Sequence, residues 1–256
     1  AGVGGQLLQQ IALGGTMIVV PLYLQMVLEY NALQAGLSFA PLSLSMFAVA
    51  LIAGRRGKGR PANIILTGYI LLVVGLVALL PIVPRADSGW WLALPLTVAG
   101  GGLGLLVSQL NNYTLSPISD ERVSEAAGVN SAAGSFGLSF GLAFAGAIML
   151  AVLAFTFTAQ VEQSTVIPED DKQTVAAVLE EDAQLLSTTQ LEELLSGEPE
   201  DVAEEIVAIS EQVRPIALQI ALLVPILAGG AGILNALRMR RLPDPAPSAS
   251  AEGVLG

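Results

Sequence analysis

The sequence has no cysteine and no histidine among its 256 residues. The first absence removes disulfides and thiolate chemistry, the second removes the side chain that titrates nearest neutral pH, and together they remove the commonest metal ligands. Charge is scarce too: Asp, Glu, Lys and Arg make up 13% of the chain, where a soluble domain carries roughly 25%. No cluster of carboxylates lies inside an apolar run, and nothing resembles a catalytic dyad. The chain is therefore not expected to be an enzyme, and neither a cofactor nor a metal is expected. With 22 acidic against 11 basic residues, nucleic acid is not an expected partner.

What the chain has instead is hydrophobicity. Apolar residues make up 53% of it, glycines number 27 and the mean hydropathy is +0.68. Six apolar runs stand at 7–28, 33–53, 64–83, 91–110, 129–157 and 216–237. About twenty residues at 1.5 Å each cross the hydrocarbon of a bilayer. A soluble protein would have to bury six such helices with almost no charged face on any of them. The expected fold class is all-α and integral to the membrane. The expected organisation is transmembrane helices one to five over 1–158, an acidic, partly helical extracytoplasmic segment over 159–213, a sixth transmembrane helix over 214–241 and a disordered cytoplasmic tail over 242–256.

Basic residues gather in every second gap. Arg55, Arg56, Lys58 and Arg60 follow the second run, Arg122 the fourth, and Arg238, Arg240 and Arg241 the sixth, while Arg85, Lys172 and Arg214 fall on the other side. By the positive-inside rule the eight face the cytoplasm, both termini of the segment lie inside, and Trp90 and Trp91 anchor the fourth helix at the outer interface. The net charge of −11 is concentrated between positions 159 and 213, where 15 carboxylates stand against Lys172 alone. That segment is either a solvated cap or a filter that attracts cations by its field. The chain opens on Ala1 with no signal-peptide pattern ahead of the first run, and it is expected to belong to a longer protein.

Inside the runs the polar groups are amides and hydroxyls: Gln9, Gln10 and Gln25 in the first, Gln109, Asn111 and Asn112 at the end of the fourth, and Asn130, Ser131, Ser135 and Ser139 in the fifth. An amide in hydrocarbon needs a partner or a water-filled cavity, so these should face the bundle interior. They serve either as helix-to-helix hydrogen bonds or, for Gln25, Gln109, Asn112 and Asn130, as the lining of a solute pathway. Gly134, Gly137 and Gly141 give the fifth helix a small-residue face for close packing, while Gly100, Gly101, Gly102 and Gly104 in the fourth serve either packing or bending.

The run Pro21-Leu-Tyr-Leu-Gln25-Met-Val-Leu-Glu29-Tyr30, continued by Gly36 and Pro41, resembles the start of the C-terminal half of the fourteen-helix drug:proton antiporters of the major facilitator superfamily. The stretch from Gly128 through Asn130, Gly134 and Gly137 to Gly141 is similar to the penultimate helix of actinobacterial-type members. The family's loop motif, a Gly and an Asp before Gly-Arg-Arg, is shortened here to Gly54-Arg55-Arg56-Gly57-Lys58-Gly59-Arg60 and lacks the Asp, so it carries over only as a basic loop at a cytoplasmic helix junction. The resemblance implies a six-helix half of a multidrug exporter in the cell membrane. Its partners would be the lipid bilayer, a small-molecule solute, protons and a missing N-terminal half. Helices one, two, four and five would line or flank the cavity. The reading that stays open beside it is a membrane scaffold or sensor whose acidic outer loop binds a partner.

Overall fold

The computed structural model describes residues 1–56, 60–170, 172, 175 and 187–242. Among them there is no β-strand. The helices are α1 (Gly2–Met26), α2 (Ala32–Arg56), α3 (Pro61–Leu79), α4 (Ala93–Leu115), α5 (Val123–Gln163), α6 (Thr188–Leu194) and α7 (Glu200–Arg240), with short 3-10 turns at Gly89–Leu92 and Asp120–Arg122 leading into α4 and α5. All but α6 are long and apolar enough to cross a membrane. Lys58 and the tail over 243–256 lie outside the described residues, as does most of 173–186.

Local chemistry explains the helix starts. Pro61 occupies the first turn of α3, where its missing N–H breaks no bond. Ser187 accepts from the Gln190 backbone while the Gln190 side chain accepts in return, a capping box that sets the start of α6. Pro21, Pro41, Pro215 and Pro225 lie inside α1, α2 and α7 without ending them. A membrane-spanning helix tolerates such prolines where local adjustment and neighbouring groups re-satisfy the freed carbonyls.

Helices α5 and α7 have 41 residues each, about 60 Å of helix and twice the roughly 30 Å of hydrocarbon. Both run unbroken through 158 and 213, the positions where the sequence reading placed the edges of the acidic segment. The ends beyond the bilayer form a paired stem, tied where the Ser164 hydroxyl donates to Glu205 Oε1 at 2.7 Å. The acidic residues of 200–211 are thus helical and continuous with the sixth span.

Two helix groups make up the bundle. In one, α1 packs along α5 and α7; in the other, α4 packs along α2 and α3, and α3 closes against α7. Tyr69 of α3, fully buried, donates its hydroxyl to the Gly5 carbonyl of α1 at 2.6 Å and sets its ring against Gly232 of α7. At the far end of α3, Gln219 of α7 donates to the Leu80 carbonyl at 2.6 Å.

Glycine determines how closely these helices approach. A Cβ at Gly137 would stand 2.6 Å from the Leu7 carbonyl oxygen, and one at Gly141 would collide with the Ile11 backbone, so α5 touches α1 backbone to backbone. In α4, Gly100 and Gly104 press on the backbone of α2, and Gly102 presses on that of α3. The glycine run of α4 is a packing surface on two sides.

Candidate functional site

The α1–α5 and α2–α4 pairs are tight, but α1 meets α2 and α4 at few positions, and α4 meets α5 at fewer still. The gap between the pairs is a cavity of about 440 Å³, within the size range of small-molecule sites, about 300–1,000 Å³. From α1 it receives Gln6, Gln9, Gln10 and Leu13, whose i, i+3, i+4, i+7 spacing is one face of a helix. Helix α5 contributes Ala127, Asn130 and Ser131 on the same kind of stripe. Helix α4 adds Val107, Asn111 and Leu115, one turn apart, and α2 adds Met46. The cavity is open on one side, where Val107, Asn111 and Ser131 are exposed.

One hydrogen bond crosses its wall. Asn130 Nδ2 on α5 donates to Asn111 Oδ1 on α4 at 3.0 Å. That bond fixes which way the Asn130 amide faces and leaves its Oδ1 without a partner. Gln9 Oε1 and Gln10 Oε1 are likewise buried and unpaired. Gln9 is 2% exposed and Asn130 5%. A buried carbonyl oxygen left unpaired costs about 1–3 kcal/mol, and these three oxygens lie within the helix packing beside the cavity. None of its lining residues carries a charge.

The structure separates the four amides singled out as pathway candidates. Asn130 lines the cavity. Gln109 is buried in register with Pro95, Ala99, Gly102 and Leu106, the stripe of α4 that packs on α3. Asn112 is exposed and outside the cavity lining, and Gln25 bends back to its own helix, its Nε2 donating to the Pro21 carbonyl at 3.3 Å. Gln6, which the sequence reading passed over, joins the site because it shares the helical face of Gln9 and Gln10. Gly134 lies behind it, where a Cβ would come within 3.3 Å of Gln6 Nε2. Of the basic loop, Arg55 and Arg56 close α2 and Arg60 stands at the N-cap of α3.

At the opposite end of the bundle a second cavity of about 510 Å³ lies between α6 and α7, bordered by Glu192, Glu198, Glu200, Glu204 and Glu211. Among the described residues no group of carboxylates is arranged to hold a metal ion.

Known proteins with similar sequences include several whose names describe transport or drug resistance. The chain is 26% identical over 166 residues to a probable actinorhodin transporter of Streptomyces coelicolor, covering 63% of this chain and 29% of that protein. It is 33% identical over 141 residues to the drug efflux pump JefA of Mycobacterium tuberculosis, covering 54% and 27% of the two chains. With a multidrug resistance protein B homolog of the same species it shares 30% identity over 161 residues, 61% and 28% of the two lengths. The chain thus spans less than a third of the length of each of these three relatives. The family model described as Major Facilitator Superfamily matches residues 3–142, more than half of the sequence. A multi-pass bundle of six apolar helices with that match is a membrane protein of the Major Facilitator Superfamily, to which this chain belongs.

Proposed function

We propose that this chain is the C-terminal six-helix half of a secondary transporter that exports amphipathic or cationic drug-like compounds across the cell membrane, driven by protons. The observation that carries the reading is the open, amide-lined cavity walled by α1, α2, α4 and α5 in an otherwise apolar bundle. The apolar part of the lining, Leu13, Met46, Val107 and Leu115, accepts varied hydrocarbon, and its amides orient a solute without fixing its identity. The names of the relatives, which include a drug efflux pump and a multidrug resistance homolog, support the substrate class. An N-terminal half completes the pathway on the open side of the cavity, and rocking of the two halves exposes the site to one face of the membrane and then the other. Both termini of the segment are cytoplasmic, in keeping with its eight basic residues at that end. No cavity-lining residue of this half titrates, so the proton is carried by a carboxylate of the other half.

The test is expression of the full reading frame in a host stripped of its own exporters, followed by accumulation of ethidium with and without a protonophore. Lower accumulation that the protonophore abolishes is expected. Unchanged accumulation at full expression, or export indifferent to the protonophore, would overturn the reading.

A further inference from the structure

We propose that the groove between the start of α2 and the 3-10 turn leading into α4 holds an acyl chain of a bilayer glycerophospholipid, whose ester carbonyl accepts the indole N–H of Trp90. The inference needs only the membrane placement of the bundle and stands whether or not the protein exports drugs. The groove has a volume of about 380 Å³. Helix α2 contributes Gln34, Leu37, Ser38 and Pro41, an i, i+3, i+4, i+7 stripe, and Tyr30 precedes it in the turn. Gly89, Trp90 and Ala93 make the other wall. The two walls are tied together, because the Tyr30 hydroxyl accepts the Gly89 N–H at 3.0 Å and a Cβ at Gly89 would collide with the Ser38 side chain.

Three observations point to lipid. The first is direction. Leu37 and Pro41 lie roughly 140–180° around α2 from Met46, which lines the central cavity, so the groove opens on the opposite flank. That flank is apolar: Leu33, Leu37 and Leu44 form one exposed stripe of α2, and Leu94 is exposed one residue past Ala93. On helices that span a membrane such a surface meets hydrocarbon. The second is level. The groove begins at the first turn of α2 and at Trp90, 82% exposed at the end of its span, where tryptophan sits among lipid headgroups. From Gln34 to Pro41 it runs about 10 Å along the helix. The third is a free donor. Trp91 gives its indole N–H to Asp87 Oδ1 at 3.1 Å, whereas that of Trp90 donates to no described residue. The ester carbonyls of a lipid are the acceptors at that depth, and a donor kept from water without one is costly. None of the lining residues carries a charge at neutral pH, so the headgroup is not read. A chain that enters the groove exchanges one apolar surrounding for another, which leaves fit and the Trp90 bond to decide how long it stays.

The experiment counts lipids on the full-length protein by native mass spectrometry as detergent is raised. The probes are dioleoyl phosphatidylglycerol, dioleoyl phosphatidylethanolamine and the ether analogue of the first, which lacks the ester carbonyls. One lipid is expected to outlast the others, with the two ester lipids alike and the ether analogue about threefold to tenfold weaker, the effect of one neutral hydrogen bond. Trp90→Phe keeps a ring without the donor and should hold ester and ether lipids equally. Leu37→Trp, at an exposed position, fills the groove and should lose the retained lipid. Retention unchanged in both variants at normal melting temperature, equal binding of ester and ether lipids to the unsubstituted protein, or preference for one headgroup overturns the site. A dimer that Leu37→Trp dissociates would make the groove a contact between copies, and displacement of the lipid by ethidium would make it a solute site. Either result also overturns the lipid assignment, and none of them bears on whether the protein exports drugs.

Discussion

Glu29, in the turn between α1 and α2, accepts the Thr189 backbone N–H on Oε1 and the Thr189 hydroxyl on Oε2, both at 2.9 Å, so that the turn caps the short helix α6 from 160 residues away. Glu29 is also the one non-glycine residue of positive φ among those described, at 52°. The left-handed region costs an L-residue roughly 1–2 kcal/mol, so the conformation is held for the contact it makes.

That pairing separates two readouts. Glu29→Gly relieves the backbone and loses the carboxylate, which at an exposed site contributes about 0.5 kcal/mol after solvent screening. The melting temperature should therefore hold or rise slightly while amide exchange in Thr188–Leu194 accelerates. The carboxyl is held below its ordinary value, first by the Thr189 backbone N–H. A depressed acid stabilises the docked form above its unfolded pKa, and that stabilisation is lost as pH falls through the lower folded value. Protection of the α6 amides, taken relative to the intrinsic exchange rate at each pH, should thus be high at neutral pH and fall only below the ordinary glutamate range, and Glu29→Gln should remove the transition. Protection in α6 that ignores both pH and substitution would show that the helix is held by other contacts.

Glycine packing gives a stability prediction with an internal control. Gly141→Val and Gly137→Val force α5 away from the α1 backbone and should each cost about 1–3 kcal/mol by overpacking. Gly128 of α5 has nothing within 4 Å of an added Cβ, so Gly128→Ala should stabilise by up to about 1 kcal/mol through helix propensity. Thermal unfolding of the three variants in the same detergent checks the order. Equal melting temperatures would mean that α1 and α5 are not in backbone contact in solution.

The six spans were legible because each apolar run is long and bounded by charge, turns or proline. The acidic stem was less so. Hydropathy alone leaves 200–213 outside the spans; its Glu, Ala and Ile allowed the partly helical reading, but not that the helix would run without a break from Glu200 into the sixth span as far as Arg240. Arg214 shows a different limit. Counting charges places it on the outer side but does not announce that it is 2% exposed, with Nη1 donating to the Thr188 hydroxyl at 2.9 Å and the Met26 carbonyl at 3.4 Å. Those partners lie far off in sequence, so no local pattern announces them. The amides of α4 make the same point within one turn. Gln109 and Asn111 are two residues and roughly 200° apart on a helix, and only the positions of α3 and α5 decide which of them meets a cavity and which a packed neighbour.

Orientation has a direct test because this sequence contains no cysteine. Ser196 after α6 and Arg241 after α7 are exposed and stand on either side of the last span. In intact cells a membrane-impermeant maleimide should label Ser196→Cys in the full-length protein and label Arg241→Cys only after permeabilisation, with the unsubstituted protein as background. The reverse pattern would put the acidic stem in the cytoplasm and contradict the positive-inside assignment.

The divergent fates of the amides make the selectivity prediction sharper than their composition could. Asn130→Leu replaces an amide of the cavity lining and breaks the bond to Asn111, so it should change which compounds the intact protein exports. Gln109→Leu touches the α3 interface instead, and Gln25→Leu removes only a bond to its own helix at 3.3 Å. Both should leave the order of exported compounds as it is, whatever they do to protein levels. Resistance profiles across a panel of amine and quaternary ammonium compounds, normalised to membrane expression, decide the matter. A profile reordered by Gln109→Leu but not by Asn130→Leu would move the solute path to the α3 side of α4 and away from the cavity described here.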